Sequence, residues 1–262
     1  MLGRPGGLRS DQLNAERIRD PTRDLILQSE QIGRLTPKDS YQVLSETHVA
    51  YHWVYSLGAH PRVLDMVEGL LGPDLMIWGS RWFSKMPGDK TFVSWHQDGA
   101  YWGLHPPNVT TAWIALSDSV PENGCMRVVP GTHKRGSLPQ IDTYDVNNAL
   151  SRGQEIAVPV DEDRAVDVVL HPGEMSLHHI GVVHGSRVNT SSQPRIGIAF
   201  RYITPEVVQD GKNRSYAMLV RGRDAHGNFI SIDPPREGRD DPTAQERVIQ
   251  RMMNNVMPPK AG

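Results

Sequence analysis

Hydrophobic positions along this chain follow two different periods, and the change falls near Pro73. Before it the spacing is helical. In "HPRVLDMVEGLLGP", Val63, Leu64, Val67, Leu70 and Leu71 recur at intervals that put them on one helical face, and Gly72 with Pro73 stops the element. Upstream, "LTPKDSYQVLSETHVAYHWVYSLG" also reads as a helix, with Thr36 as N-cap and Pro37 at the first helical position. The N-terminal end before it is polar and weakly patterned, which predicts an extended or loosely helical arm.

After Pro73 short apolar segments with alternating or β-branched residues take over, cut by Gly, Pro, Asn and Asp. They are "LMIWGSRWFSKM", "FVSWHQD", "VTTAWIALSD", "MRVVPG", "EIAVPV", "VDVVL", "MSLHHIGVV" and "RIGIAFRYI". Such a series predicts one antiparallel sandwich or barrel, with the N-terminal helices packed against a face. Residues 136–154 show no strand pattern and are long enough to be a lid rather than a plain turn. Near the C-terminus a helix starts at Asp241, with Pro242 at its first position. No repeat or linker interrupts the chain, so a single domain is expected over 1–262. Its parts are a helical 1–73, a β core over 74–205, and a C-terminal strand and helix over 206–262.

Composition narrows the class without deciding it. Lys and Arg number 28 against 30 Asp and Glu, a net charge of −2, so no basic field points to nucleic acid or an anionic membrane. The one cysteine, Cys125, excludes an internal disulfide. No apolar run follows the N-terminal charges, and no stretch is long enough to span a membrane, so a cytoplasmic location is expected. A small-molecule partner is expected; oligomeric state is not specified.

The chemistry concentrates in "SWHQDGAYW". Residues two apart in a strand share a face, so His96 and Asp98 converge on one point. A third ligand from a distant strand completes a two-His-one-carboxylate face, which suits Fe(II) because it leaves positions open for a co-substrate and oxygen. The stretch "LHPGEMSLHHIGVVHGSRVNTSSQPRIGIAFRY" offers His178, His179 and His184 for that role, and spacing alone does not choose among them. It also carries Arg195 at the start of a core strand. A buried guanidinium there needs an anion, and its planar fork suits a carboxylate.

Together, "FSKMPGD", "SWHQDGAYW", "TAWIALSD", "NGCMRVVPGTHK", "HPGEMSLHHIGVVHGS" and "QPRIGIAFRY" resemble the phytanoyl-CoA dioxygenase family of Fe(II)- and 2-oxoglutarate-dependent oxygenases. The resemblance runs from about Trp78 to Tyr202 in the family's order. It implies a mainly β fold, a double-stranded β-helix (jelly roll) with flanking N- and C-terminal helices. It implies Fe(II), 2-oxoglutarate and O2 as cofactor and co-substrates. Metal ligands carry over to His96, Asp98 and His184, the last being the His of the "HGS" step. Arg195 carries over to the residue that holds the distal carboxylate of 2-oxoglutarate, and Ser186, Trp113 and Lys85 to positions around it. The implied reaction decarboxylates 2-oxoglutarate to succinate and CO2 and hydroxylates a small metabolite. The family's usual N-terminal strand-and-helix pattern is not visible, so its covering role does not carry over. Related halogenases lack the carboxylate ligand; Asp98 is present, which favours hydroxylation.

For other residues two readings stand side by side. Tyr101 and Trp102 either line a substrate pocket or pack. Arg127 either reaches an anionic substrate or lies on an outward strand face. His178 and His179 either support a metal ligand or are structural. Cys125 reads as a small packing residue rather than a nucleophile. The same cofactor chemistry also serves desaturation, cyclisation or epimerisation. A metal cupin isomerase or hydrolase would leave Arg195 unexplained, and a non-catalytic binding module would leave the whole set unexplained. No nucleotide-binding glycine motif is present.

Overall fold

Gly72, at φ +93°, ends the second helix where the sequence predicts, and β structure begins three residues later. The structure, a computed structural model, describes residues 44–211 and 214–255. The polar N-terminal arm and the Thr36–Pro37 cap lie outside these residues. Among the described residues two α-helices precede the strands, α1 (His52–Gly58) and α2 (Pro61–Leu71). Pro61 opens α2, and the His60 side chain accepts from the Arg62 N–H at 3.3 Å. Val63, Leu64 and Val67 are buried, whereas Leu70 is 61% exposed, so the apolar face is one turn shorter than the spacing predicts.

The helix expected through residues 35–58 is not continuous over its described part. Ser45 bridges to Arg81, Glu46 takes a left-handed conformation (φ 57°, ψ 24°), and a short 3-10 turn spans Thr47–Val49 before α1 begins. The cause is tertiary. Glu46 N–H donates to the Ser80 carbonyl at 2.8 Å, and the Glu46 carboxylate accepts from Ser80 N–H at 3.2 Å. Pairing with a strand replaces the helical hydrogen bonds that local spacing favours.

Fourteen strands follow: β1 (Leu75–Lys85), β2 (Val93–His96), β3 (Leu104–His105), β4 (Val109–Ala115), β5 (Met126–Val129), β6 (Gln140–Asp142), β7 (Gln154–Ile156), β8 (Val166–Val168), β9 (Met175–His179), β10 (Val183–Ser186), β11 (Arg195–Ile203), β12 (Val208–Gln209), β13 (Tyr216–Arg221) and β14 (Ile230–Ser231). A six-stranded sheet runs β14-β13-β1-β11-β4-β9 and a four-stranded sheet β2-β10-β5-β8, with the pairs β12-β3 and β6-β7 apart. The fold is mainly β, of the jelly-roll type. Between β2 and β4 lies a one-turn helix, α3 (Gly99–Trp102), and α4 (Pro242–Asn255) closes the described chain. Asp241 caps α4 by accepting from Ala244 N–H, with Pro242 at its first position as expected. The 136–154 excursion is not strandless: Ile141 pairs with Glu155 in the β6-β7 hairpin. No helix among the described residues is long and apolar enough to cross a membrane.

The chain forms two compact units. Among the described residues, one comprises 82–100 and 113–199, and the other 44–81, 101–112 and the chain from 200 onwards. In the first, Trp113, Ala115, Leu170 and Ala199 form one apolar cluster, and Val129, Ile156 and Val183 another. In the second, Val49, Met218, Ala244 and Val248 cluster, and the fully buried Tyr202 donates its hydroxyl to the Gly58 carbonyl at 2.7 Å.

Gly197 on β11 is a packing requirement, because a Cβ there would sit 2.3 Å from the Trp113 ring. Gly197→Ala should therefore cost about 1–3 kcal/mol of stability by overpacking. Gly69→Ala, on the exposed face of α2 with open space around it, should instead stabilise by roughly 0.5–1 kcal/mol. Thermal melts of the two variants measure this contrast, and a neutral Gly197→Ala would show that Trp113 can move aside.

Candidate active site

Strands β2 and β10 are antiparallel neighbours, and their register sets His184 directly opposite His96. Directly opposite residues project from the same face of the pair. The two rings accordingly stand 4.1 Å apart, both buried. Each ring is oriented by its own strand. His96 Nδ1 lies 2.9 Å from the Ser94 carbonyl, and His184 Nδ1 lies 3.1 Å from the Val182 carbonyl. A carbonyl only accepts, so both Nδ1 atoms carry the proton, and both Nε2 lone pairs are left for a metal. Burial, and then the neighbouring His96, push the His184 pKa down to about 3, which keeps the ring neutral.

Asp98 reaches the same point by another route than the one its spacing suggests. Strand β2 ends at His96, so Asp98 stands in the turn before α3, not on the strand. Gln97, buried, fixes that turn: its amide donates to the carbonyls of Gly136 (3.0 Å) and Gly181 (2.7 Å), and its oxygen accepts from Leu138 N–H at 2.7 Å. Gly99 N–H donates to the Ile180 carbonyl at 3.0 Å. Asp98 Oδ1 then lies 3.5 Å from His96 Nε2, and the ligand atoms of His96, Asp98 and His184 all lie within 4.8 Å of one another. Burial opposes the Asp98 charge, but the surrounding imidazoles of His178, His96 and His184 prevail and hold its carboxyl well below the usual range. His178 Nε2 is 3.8 Å from Asp98 Oδ2, and its ring centroid is 4.9 Å from that of His184, so it supports the site from β9. His179 instead accepts from Gly181 N–H and faces His133.

Two buried cations lie nearby in chain and space. Lys85, at the end of β1, donates to Ser186 Oγ at 2.6 Å and to the Arg187 carbonyl. Arg195, 3% exposed, stacks its guanidinium over Trp113 with 5.3 Å to the ring centroid, and its Nε has no hydrogen-bond partner. Burial, and then Arg195, push the Lys85 pKa down to about 6. Cys125 is buried beside both, and burial pushes its thiol up to about 11, so it is no nucleophile. Two desolvated cations with an orphaned N–H are an unmet demand for an anion, and a dicarboxylic co-substrate meets it. The donor set of two neutral imidazoles and one ionised carboxylate fits Fe(II) with open positions.

Arg127 is not available for a substrate. It pairs with Glu162 at 2.8 Å and Asp167 at 3.3 Å and lies over Trp95, so both its charge and its plane have structural partners. Trp102 stacks against Arg201 (4.7 Å) and tilts against Trp78 (5.3 Å), and Tyr101 precedes it on α3. Gln97 was not flagged by sequence. Its role rests on loops reached from distant positions, and no local signal announces it.

The phytanoyl-CoA dioxygenase (PhyH) family model matches residues 19–197. The chain belongs to the phytanoyl-CoA dioxygenase family. The match extends to residue 19, into the N-terminal segment that lacks the family's usual strand-and-helix pattern. Among curated relatives, the ectoine dioxygenase of Nocardia farcinica is 29% identical, over 66% of this chain and 62% of that protein. The human peroxisomal phytanoyl-CoA dioxygenase is 30% identical, over 56% of this chain and 44% of that one. This family member thus spans less than two thirds of the length of these relatives. Among solved structures, the non-heme monooxygenase ThoJ in its apo form is 35% identical over 80% of this chain and 81% of its own, with a TM-score of 0.67. Fe(II) and 2-oxoglutarate are the cofactor and co-substrate of this family.

The Lys85 environment gives a pH signature for the family's co-substrate. Free Lys85 loses its proton above about pH 6, whereas a bound carboxylate favours the ammonium form. Affinity for 2-oxoglutarate should therefore fall as pH rises from 6 to 8 in the wild type and fall less in Lys85→Met. Anaerobic titrations across that range measure it; identical pH profiles for the two proteins would remove Lys85 from the clamp.

Proposed function

We propose that this chain is an Fe(II)- and 2-oxoglutarate-dependent dioxygenase that hydroxylates a small-molecule metabolite, releasing succinate and CO2. The observation that carries the reading is the joint presence of the convergent His96, Asp98 and His184 set and the buried Arg195, whose Nε has no partner, with Lys85 beside it. A 2-oxoglutarate-independent cupin would need only the first, and a binding module neither. The relatives support the class: one is named for ectoine and another for phytanoyl-CoA, both small molecules, and ThoJ, also solved as a nickel complex, is called a monooxygenase. The retained Asp98 supports hydroxylation over halogenation.

When bound, iron supplies the activation of oxygen and the oxidative decarboxylation of 2-oxoglutarate. The residues of the chain do the rest. His96, Asp98 and His184 would hold the metal through two imidazoles and one carboxylate. The Ser94 and Val182 carbonyls keep both imidazoles in the tautomer that presents Nε2. Arg195 receives the far carboxylate of 2-oxoglutarate in its planar fork, and Trp113 fixes the plane of that fork. Lys85 and Ser186 add a donor each and screen the carboxylate from water. The 136–154 excursion serves as a lid over the site in this reading. It exposes Ile141 on β6 and Tyr144 and Val146 beyond it, apolar surface that a closing motion would cover. The single free cysteine suits a reducing, cytoplasmic setting.

The test is turnover of 2-oxoglutarate to succinate over a panel of small metabolites, with products read by mass spectrometry. His96→Ala, Asp98→Ala and His184→Ala should each abolish succinate formation. Arg195→Met should raise the 2-oxoglutarate KM by about 10–100-fold, as expected for loss of a hydrogen-bonded charge partner. Intact turnover in the three ligand variants would sink the oxygenase reading. A product lacking the added oxygen would assign desaturation, cyclisation or epimerisation instead.

A further inference from the structure

Strand β2, which carries His96, is an edge strand with β10 as its one neighbour in the sheet. An edge leaves backbone groups open and the strand free to shift unless something covers it. The 136–154 excursion covers this edge along its length. At the start of β2, Phe92 bridges in parallel to Asn148. Phe92 N–H donates to the Asn147 carbonyl at 3.0 Å, and Ala149 N–H donates to the Phe92 carbonyl at 2.9 Å. Further along, the buried Asn148 amide donates to Ser94 Oγ at 2.7 Å, and Ser94 Oγ donates to the Gln154 carbonyl. Beyond the end of β2, Gln140 takes over. Its Nε2 donates to the Gln97 carbonyl at 3.1 Å, and its Oε1 accepts from the Gln97 N–H at 3.5 Å. A side-chain amide there does what the next residue of a neighbouring strand would do.

These bonds fall on the residues that adjoin the ligands. Ser94 supplies the carbonyl that orients His96 Nδ1, and Gln97 is the peptide neighbour of both His96 and Asp98. Asn148 is itself fixed, its Oδ1 accepting from Leu150 N–H at 3.1 Å and its N–H donating to the Asp145 carbonyl at 3.0 Å. Apolar packing here is done by Ile156 and Leu138 with Trp95, Val129 and Val183. The polar bonds at Ser94 and Gln97 are additional to it. His184 needs no such support, because β10 is flanked by β2 and β5.

We propose that Asn148 and Gln140 are positioning residues for the two metal ligands next to the sheet edge. Asn148 acts on His96 through Ser94, and Gln140 acts on Asp98 through Gln97. This rests on the reading of His96, Asp98 and His184 as a metal centre. The excursion is then a brace at both ends, and a covering motion belongs to the stretch between its anchors, which includes the exposed Ile141, Tyr144 and Val146. Partners one bond removed from a ligand set its orientation, and losing one typically weakens metal binding by about 10–100-fold.

Titration of the full chain with Co(II) alone, without 2-oxoglutarate, reads metal affinity and the visible bands of the bound ion apart from any turnover. Asn148→Ala and Gln140→Met should each weaken Co(II) binding by about 10-fold and move its band positions. A change that only lowered the folded fraction would cut band intensity and leave the positions where they are. Wild-type affinity and bands in both variants, or loss of intensity alone, would overturn the proposal. Gln140→Glu keeps an acceptor for the Gln97 N–H but loses the donor to its carbonyl, so it should weaken binding at least as much as Gln140→Met. Gln140 is half-buried, so its two variants keep the test decisive if Asn148→Ala fails to fold. Wild-type protein that binds no Co(II), or binds it no better than His96→Ala does, would remove the metal centre and the brace with it. A metal centre that stands while both variants match the wild type would remove the brace alone.

Discussion

The candidate active site depends on one pairing, the antiparallel register of β2 with β10 that sets His96 opposite His184. A slip of one residue would turn one of the two rings to the other face of the sheet. The same register brings each ring nitrogen to a carbonyl of its own strand, so the fold selects the tautomer as well as the position. Strand β10 is also bound on its far side by β5, where His184 lies opposite Val128. The ligand that must not move is therefore on an interior strand, and its partner His96 is on the strand at the edge of that sheet.

The charges are arranged with equal economy. His96, His184 and Asp98 form a centre of imidazole rings around one carboxylate that their proximity keeps ionised. Arg195 and Lys85 form a separate basic centre, buried, with Arg195 Nε short of an acceptor. Either cation alone would favour a carboxylate; the pair, with Ser186 and the plane of Trp113, favours one held at a fixed orientation. An elongated dianion that binds iron at one end and a guanidinium at the other satisfies both centres at once. A monoanion satisfies only one.

Much of this was legible in the sequence, for a physical reason. Metal ligands two residues apart, a His in an "HGS" step and an Arg at the head of a core strand are local patterns, and local patterns survive in one dimension. The helical face of α2 and the strand alternation beyond Pro73 are legible for the same reason. What escaped reading depends on partners far along the chain. Glu46 leaves the helix because Ser80, 34 positions away, offers it a strand's hydrogen bonds. Arg127 looks free in its own segment and is neutralised by Glu162, 35 positions on. Asp98 seemed to share a strand with His96, yet it is Gln97, bonded to loops from 136 to 138 and at Gly181, that turns the chain and aims the carboxylate.

Glu46 and Arg195 invite comparison because both are buried ions with an atom left unsatisfied. Burying such a group costs several kcal/mol unless something compensates it, and a purely structural ion pair would have been closed by the protein itself. Arg195 is not closed: Trp113 covers its face but accepts no hydrogen bond from Nε. Glu46 Oε1 has no hydrogen-bond partner either, and a Cβ at Gly79 would crowd it at 3.1 Å, so position 79 carries no side chain to make room for the carboxylate. The difference is that Arg195 stands beside Lys85 and Ser186 at the metal-ligand strand, where a carboxylate would complete its pair, whereas Glu46 is packed tightly against Gly79.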